Sequence, residues 1–159
     1  MTKPISRDTA ITEIMQSLRR IFKAIQDYSY DVSDKFGTTG PQLWALKTIS
    51  QNENLSLGEL GRRMYLHPST ITGLIDRLEK KGLVERDRDQ TDRRVIKLRL
   101  TSKGKGLVKR APNPIQGKMI YGLRKLKRKE LNSIHHSVQK LVEVMEVQDV
   151  KATFFFDQE

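Results

Sequence analysis

The sequence contains no cysteine and no long apolar run among its 159 residues. The missing cysteine excludes thiol nucleophiles, thiolate metal ligands and disulfides, so we expect a cytoplasmic protein rather than a secreted disulfide scaffold. No stretch approaches the roughly 18 apolar residues of a membrane helix, and the N-terminus lacks a signal-peptide core, which predicts no membrane partner. Aromatic residues make up only 6% of the chain. The length is nevertheless sufficient for one hydrophobic core without covalent staples.

Acidic residues are few relative to basic ones. The chain has 30 Lys and Arg against 19 Asp and Glu, a net charge of +11. Such a surplus favours a polyanionic partner, because basic side chains release counterions when they bind phosphates; nucleic acid is a better candidate than an anionic membrane surface. The charge is concentrated in residues 102–130, which carry +9, whereas residues 143–159 carry −4. For the basic segment itself, a solvated helix face explains the charge at least as well as a phosphate contact.

Apolar residues recur at helical spacing in most of the chain. They predict a one-sided helix from about Thr9 to the low 30s, a second helix with Pro41 in its first turn, and a last helix over residues 131–145. Pro112 and Pro114 must kink or break a further helix, which contains Leu107 and Val108, before the helical pattern resumes over residues 115–126. The apolar stripes of the first and last helices are too broad to face water, so they require a partner surface within the chain or on a second copy.

Two capping signals enclose a short helix and a longer one. Ser56 and Glu59 have the spacing of a capping box, and His67 followed by Pro68 is typical of the start of the next helix. A narrow apolar stripe then continues as far as Gly82, which predicts the end of that helix. This order is that of a helix-turn-helix. The outer face of the longer helix either meets DNA or is only the solvated face of a surface helix.

The segment that follows alternates like a β-hairpin. Residues 83–88 and 94–100 predict two strands, joined by the charged loop 89–93 that projects into solvent as a wing. A narrow minor groove attracts a projecting guanidinium, so arginines suit such a loop. The alternative is a hairpin tip that ion pairs hold together. The arginines of this region are Arg86, Arg88, Arg93 and Arg94.

The stretches LSLGELGRRMYLHPSTITGLIDRLEKKGLVER and DRRVIKLRLTSKG resemble the MarR family of winged helix-turn-helix transcription regulators. The segment APNPIQGKMIYGL is similar to a recurrent segment of that family, and His67 differs from the acidic cap of many members. The resemblance implies a mainly α fold with a small β-hairpin wing. It divides a single domain, residues 1–159, into a DNA-binding lobe over 40–101, a dimerisation lobe over 9–35 and 102–146, and a C-terminal tail over 147–159.

The predicted DNA contacts lie on the second helix of the helix-turn-helix and on the wing. Short hydroxyl residues suit phosphates and base edges, Gly73 allows close approach of a backbone, and Arg77 is the best candidate to read a base or phosphate. By the resemblance, Arg94 is the wing arginine and Asp92 orients it. The predicted set is Ser56, His67, Pro68, Ser69, Thr70, Thr72, Gly73, Arg77, Arg86, Arg88, Asp92, Arg93 and Arg94.

Family members often bind small aromatic compounds between the two lobes, so the resemblance also implies a small aromatic effector. The candidate residues are Tyr28, Tyr30, Trp44 and Tyr65, although core packing explains any one of them more simply. No cofactor and no metal are expected. Adjacent residues on a helix point about 100° apart, so the pair His135 and His136 does not predict a metal site.

The sequence therefore predicts a sequence-specific transcription regulator, with repression as the expected action. It would bind a pseudo-palindromic operator in double-stranded DNA as a homodimer. An enzyme is not predicted, because there is no Gly-rich phosphate loop and no catalytic constellation around the three histidines. The alternative is a non-specific architectural nucleic-acid-binding protein, which would bind scrambled DNA equally well. A winged helix that only binds proteins is less consistent with the wing arginines.

Overall fold

The computed structural model describes residues 5–52, 54–92 and 94–150. Within them the chain forms seven α-helices and a two-stranded antiparallel sheet, which confirms the predicted mainly helical fold with a small hairpin. The elements are α1 (Arg7–Phe36), α2 (Gly40–Ser50), α3 (Leu57–Met64), α4 (Pro68–Lys80), β1 (Val84–Arg88), β2 (Ile96–Leu100), α5 (Ser102–Arg110), α6 (Ile115–Lys125) and α7 (Arg128–Val144).

The helices begin and end at residues that satisfy their free backbone groups. The Ser6 hydroxyl accepts a hydrogen bond from the Thr9 N–H at 3.1 Å and caps α1. Thr39 and Gln42 form a capping box at the start of α2. Helix α1 ends at Gly37, whose φ of 59° is the left-handed conformation that glycine adopts without strain. The first helix was predicted from about Thr9 to the low 30s, so α1 begins two residues earlier and ends later than predicted. Its caps at Ser6 and Gly37 explain both ends, because they satisfy its free backbone groups.

Two prolines separate α5 from α6. Helix α5 ends at Arg110, and α6 begins directly after Pro114, which is its N-cap residue. Proline has no N–H to donate and fixes φ, so neither Pro112 nor Pro114 fits the interior of a continuous helix. The predicted interruption at these prolines is confirmed.

The hydrophobic core lies between α2, the inner faces of α3 and α4, and the hairpin. Helix α4 contributes four side chains at helical spacing, each at most 1% exposed. Strands β1 and β2 add their inward residues, and the start of α5 closes one side. Because the apolar stripe of α4 faces this core, the residues on the opposite side of the helix point outward. The fully buried side chains include Leu43, Leu46, Leu60, Met64, Ile71, Leu74, Ile75, Leu78 and Leu98.

Strands β1 and β2 pair from Val84 opposite Leu100 to Arg88 opposite Ile96. The Leu98 N–H also donates to the Leu55 carbonyl at 2.8 Å, which ties the segment before α3 to the free edge of β2. Strand β2 begins two residues later than predicted. The reason is that the Val95 N–H donates to the Asp92 carbonyl at 2.9 Å and closes the wing loop, so residues 94 and 95 belong to the turn.

The apolar faces of α1 and α7 are exposed along most of their length. Helix α1 has 30 residues, of which only Ile25 and Val32 are buried, and α7 has no buried residue. No helix in the described part of the chain combines the length and apolarity needed to cross a membrane. The large exposed apolar side chains of the two helices are Ile11, Ile14, Met15, Ile21, Phe22, Tyr30, Leu131, Ile134, Val138 and Val144.

Candidate nucleic-acid interface

Helix α4 begins at a histidine cap. The His67 Nδ1 accepts a hydrogen bond from the Ser69 N–H at 3.4 Å and lies 2.9 Å from the Ser69 hydroxyl oxygen. Pro68 occupies the first turn, where its missing N–H costs nothing. The ring thus takes the place of the usual short acidic or hydroxyl cap, and the predicted start of the helix is confirmed.

The outward face of α4 is short and polar. Pro68, Ser69 and Thr72 are exposed, and Thr70 and Gly73 are half-buried. The Thr72 hydroxyl donates to the Pro68 carbonyl at 3.0 Å, which leaves its oxygen able to accept a further hydrogen bond. A Cβ built on Gly73 meets no atom within 4 Å, which leaves open space beside the helix backbone. This face has the small side chains and open backbone that allow a helix to enter a major groove.

Arg77 lies further along α4 and is more enclosed than the sequence suggests. The residue is half-buried, and its Nε atom is shielded from solvent. Lys81 lies nearby: burial lowers the pKa of its ammonium, and the charges of Arg77 and Lys103 lower it further. A role for Arg77 in reading DNA remains a prediction.

Arg86 joins the hairpin to α4. Its Nη2 lies 2.6 Å from the Asp76 Oδ1, and its Nη1 contacts the Glu79 carboxylate. The side chain is 22% exposed. Burial acts to lower the pKa of the guanidinium, but the hydrogen bonds and charges of Asp76 and Glu79 outweigh it and raise that pKa above its ordinary value. Arg86 was predicted to contact DNA; its guanidinium is already bound by two carboxylates of α4.

Asp76 and Glu79 were not predicted from the sequence as partners of Arg86. The two carboxylates are three residues apart on a helix, so they lie next to each other on one face. This spacing was the only signal in the sequence that they could share a cation. Their partner, however, stands on the following strand, and only the packing of β1 against α4 brings Arg86 between them.

The wing loop is organised by two aspartates. The Asp89 Oδ1 accepts hydrogen bonds from the Thr91 N–H at 2.8 Å, the Thr91 hydroxyl at 2.5 Å and the Asp92 N–H at 3.1 Å. These bonds, the Thr91 hydroxyl first, lower the pKa of Asp89 to about 2. The loop is thus a tight turn around a carboxylate rather than a free tip.

Arg94 projects from this loop. The Asp92 Oδ1 accepts hydrogen bonds from its backbone N–H at 3.0 Å and from its Nε at 3.1 Å. The side-chain bond to Arg94, followed by the backbone bond, lowers the pKa of Asp92. The Arg94 side chain is 91% exposed. Its neighbour Arg93, also predicted to bind DNA, lies outside the described residues.

Two further predicted residues have different surroundings. Arg88 is exposed at the end of β1, one residue before the loop. The hydroxyl of Ser56 accepts from the Glu59 N–H at 3.2 Å, while the Ser56 N–H donates to the Glu59 carboxylate at 2.7 Å. These bonds, led by the one from the Ser56 backbone, lower the pKa of Glu59. The Ser56 side chain is therefore occupied in capping α3. The Arg88 side chain is exposed and can meet a partner.

One of the four aromatic residues predicted to bind an effector lines a cleft, and a second borders it. Trp44 and Arg124 help to line a cleft of about 810 Å³ between α2 and α6. Tyr65 is linked to this cleft, because the Arg124 Nη2 donates to its hydroxyl at 3.1 Å and the guanidinium lies 5.8 Å from its ring centre. Tyr121 lines the same cleft and was not predicted.

The other two aromatic residues do not line this cleft. Tyr28 packs beside Gly40, and burial raises the pKa of its hydroxyl to about 12. Tyr30 is 71% exposed on α1. His135 and His136 are both exposed on α7, and in the part of the chain that the structure describes no three His, Asp or Glu side chains form a group able to hold a metal ion.

A short helix, a tight turn, a longer helix with an open polar face and an arginine-bearing hairpin define a winged helix-turn-helix protein. The sequence model of the MarR family matches residues 38–96. The HTH-type transcriptional repressor MdtR of Bacillus subtilis (strain 168) is 37% identical over 99 residues, which are 62% of this chain and 64% of that protein. This match spans just under two thirds of that relative.

Two further comparisons cover more. The organic hydroperoxide resistance transcriptional regulator of Bacillus subtilis (strain 168) is 32% identical over 112 residues, 70% of this chain and 75% of that protein. The crystal structure of the YusO protein from Bacillus subtilis is 32% identical, has a TM-score of 0.54, and the match covers 87% of this chain and 99% of that one. The chain belongs to the MarR family of DNA-binding transcription regulators, which are not enzymes.

Proposed function

We propose that this protein is a repressor that binds a pseudo-palindromic operator as a homodimer in the cytoplasm. The observation that carries the proposal is the wing: Asp92 holds a 91% exposed Arg94 beside a tight loop, in the same lobe as the open face of α4. A helix with an open polar face enters a major groove, and a projecting arginine enters a narrow minor groove. One of the similar proteins is itself described as a repressor.

The two surfaces divide the work of recognition. Phosphate contacts from the basic surface supply most of the affinity, because they release counterions. Base edges that face Ser69, Thr70, Thr72 and Gly73 supply sequence preference in the major groove. Arg94 adds a preference for narrow minor grooves, which depends on DNA shape.

Exposed apolar faces support the homodimer. Ile14 on α1 and Ile134 on α7 are 46% and 42% exposed, and both belong to continuous apolar stripes. Faces of this kind are buried in stable assemblies. Two-fold symmetry would place the two copies of α4, the recognition helices of this proposal, about 34 to 36 Å apart, which is one turn of DNA. Ile14→Glu is expected to give a monomer in sedimentation velocity, whereas Gln16→Glu, on the opposite face of α1, leaves a dimer. A dimeric Ile14→Glu chain contradicts the assignment of this face.

In this proposal a small aromatic effector regulates DNA binding. The cleft between α2 and α6 offers the Trp44 and Tyr121 rings with the Arg124 guanidinium, and its volume of about 810 Å³ is that of a small-molecule site. One similar protein is named for organic hydroperoxide resistance. This sequence has no cysteine, so it offers no thiol that a peroxide could oxidise.

The experiment that tests the function is fluorescence anisotropy at near-physiological salt, with duplexes that tile the region upstream of the protein's own gene. A specific regulator prefers one pseudo-palindromic tile over scrambled duplexes by about 10³-fold. The preference should fall with Arg94→Ala and persist with Arg128→Ala, a matched change on α7. Equal binding of every duplex overturns the proposal.

The net charge of +11 favours a second candidate, an architectural nucleic-acid-binding protein. Residues 103–130 contain ten basic side chains and one acidic side chain. Such a protein binds all tiles equally, and log Kd rises steeply with log salt concentration. The comparison of the tiles with scrambled duplexes in the same titrations therefore separates the two functions, since a steep salt dependence is expected of both.

A further inference from the structure

Lys81 stands where three helices meet. It is the C-cap residue of α4, and its Nζ donates to the Gly37 carbonyl at 3.0 Å and to the Gln42 Oε1 at 2.8 Å. Gly37 is the C-cap residue of α1, and Gln42 lies in the first turn of α2. One ammonium group therefore joins the end of the recognition helix to the junction between α1 and α2.

The acceptors of this ammonium are fixed in place. Gln42 and Thr38 are 3% and 2% exposed. The Gln42 Oε1 also accepts from the Thr38 hydroxyl at 2.9 Å and from the Thr39 N–H at 3.4 Å. The Gly37 carbonyl lies at the C-terminal end of a 30-residue helix, where unpaired carbonyls and the helix dipole favour a cation.

The backbone beyond α4 is held from the other side. The Lys103 Nζ donates to the Lys81 carbonyl at 2.9 Å, and the Thr101 hydroxyl donates to the Gly82 carbonyl at 2.6 Å. Helix α5 lies so close that a Cβ on Gly104 would be 2.1 Å from the Leu83 carbonyl oxygen. The backbone at Lys81 and Gly82 is therefore hydrogen-bonded to Lys103 of α5 and to its N-cap Thr101, while the Lys81 side chain reaches the end of α1.

We propose that Lys81 is a positioning residue that sets the angle between α4 and α1, and thereby the separation of the two recognition helices in the dimer. The second part rests on the proposed function. Helix α1 is about 45 Å long at 1.5 Å per residue, so a rotation of about 5° at its end moves the far end by about 4 Å. Such a displacement matters because half-sites on DNA are spaced by a fixed helical repeat.

A first test requires no DNA. The chain has no cysteine, so Gln16→Cys and Thr72→Cys introduce the only two thiols for spin labels on the exposed faces of α1 and α4. Dilution with unlabelled chain leaves the distance within one protomer for double electron–electron resonance. Lys81→Met, which keeps the aliphatic stem and removes the donors, is expected to broaden or shift this distance.

The control variants are chosen for this site. Lys81→Arg retains a donor and is expected to keep most of the narrow distribution, and Lys80→Met removes a neighbouring exposed ammonium and should leave it unchanged. An unaltered distance distribution in Lys81→Met overturns the positioning role, whatever the protein binds.

The second test uses the operator found by the tiling experiment, with its half-sites moved apart by one base pair. The wild-type chain should discriminate against the longer duplex, and Lys81→Met should lose about fivefold or more of that discrimination, since even one ordinary hydrogen bond contributes about this much on a net basis. A variant that keeps the full preference overturns the role of Lys81. A wild-type chain that ignores the spacing contradicts the proposed function instead, while the spin-label distance still decides the positioning role.

Discussion

The Asp92 carboxylate binds both the backbone and the side chain of Arg94. The N–H and Nε of that arginine lie 3.0 and 3.1 Å from one carboxylate oxygen, and the Nη2 lies 3.4 Å from the other. The guanidinium is thus oriented while its side chain remains 91% exposed. Because the orientation exists before any partner binds, less side-chain entropy is lost on binding.

This pair predicts a graded effect on DNA binding. Arg94→Ala is expected to weaken operator binding about tenfold to a hundredfold, because the dimer loses one minor-groove arginine in each half-site, each contributing about 1 kcal/mol. Asp92→Ala should weaken it less, because it frees the arginine without removing it. Anisotropy titrations measure both. Equal losses in the two variants would mean that Asp92 contributes more than orientation, and no loss in either would remove the wing from the interface.

Arg86 predicts a change in stability rather than in phosphate contacts. Arg86→Met is expected to lower the free energy of unfolding by about 1 to 2 kcal/mol, because it removes a mostly buried cation from two carboxylates. Urea denaturation measures this loss. If Arg86 contacted a phosphate instead, the slope of log Kd against log salt concentration would fall by about 2 in the variant, about 1 for each protomer of the dimer. An unchanged slope with reduced stability assigns Arg86 to the fold.

Gly104 and Gly106 form a matched pair on α5. A Cβ at Gly104 would lie 2.1 Å from the Leu83 carbonyl oxygen, whereas a Cβ at Gly106 meets nothing within 4 Å. Gly104→Ala is expected to destabilise the fold by about 3 kcal/mol or more, because the backbone of α5 or of Leu83 must move to make room for the new Cβ. Gly106→Ala should stabilise it by about 0.5 to 1 kcal/mol through helix propensity. Thermal unfolding of both variants checks the packing of α5 against the segment after α4.

The lowered pKa of Asp89 predicts the pH below which the wing loop loses its hydrogen bonds to this carboxylate. Its pKa of about 2 lies below the ordinary value of 3.8, so the folded loop favours the ionised carboxylate. The stabilisation is complete above about pH 4 and is lost as the pH falls through the folded pKa near 2. The amide resonances of Thr91 and Asp92 should therefore keep their positions at pH 3 in an NMR titration. A midpoint near pH 4 for these amides would show that the three hydrogen bonds to Asp89 do not persist in solution.

Much of the fold follows from local signals. The sequence predicted three such features. They are the helix caps at Ser56 and His67, the helix break at Pro112 and Pro114, and the alternating strand that ends at Leu100. These signals involve residues within about four positions of each other, so the local backbone decides them.

The candidate site was predictable in part. Exposed positions on α4 and at the wing followed from the periodicity, because the buried stripe determines its opposite face. The exposure and the binding partners of each arginine did not follow from the periodicity. Arg86 and Arg94 belong to the same charged hairpin, yet one is 22% exposed between two carboxylates and the other is 91% exposed.

The sequence by itself determined the order of the elements, the helix-turn-helix, the wing and the excess of positive charge, because capping, periodicity and composition act over short distances. Only the tertiary structure decided which charged side chains are engaged. The packing of β1 against α4 brought Arg86 to Asp76 and Glu79, and the meeting of three helix ends brought Lys81 to Gly37 and Gln42. Such contacts join residues on different elements, between 7 and 44 positions apart in the chain, and no local pattern encodes the distance between them.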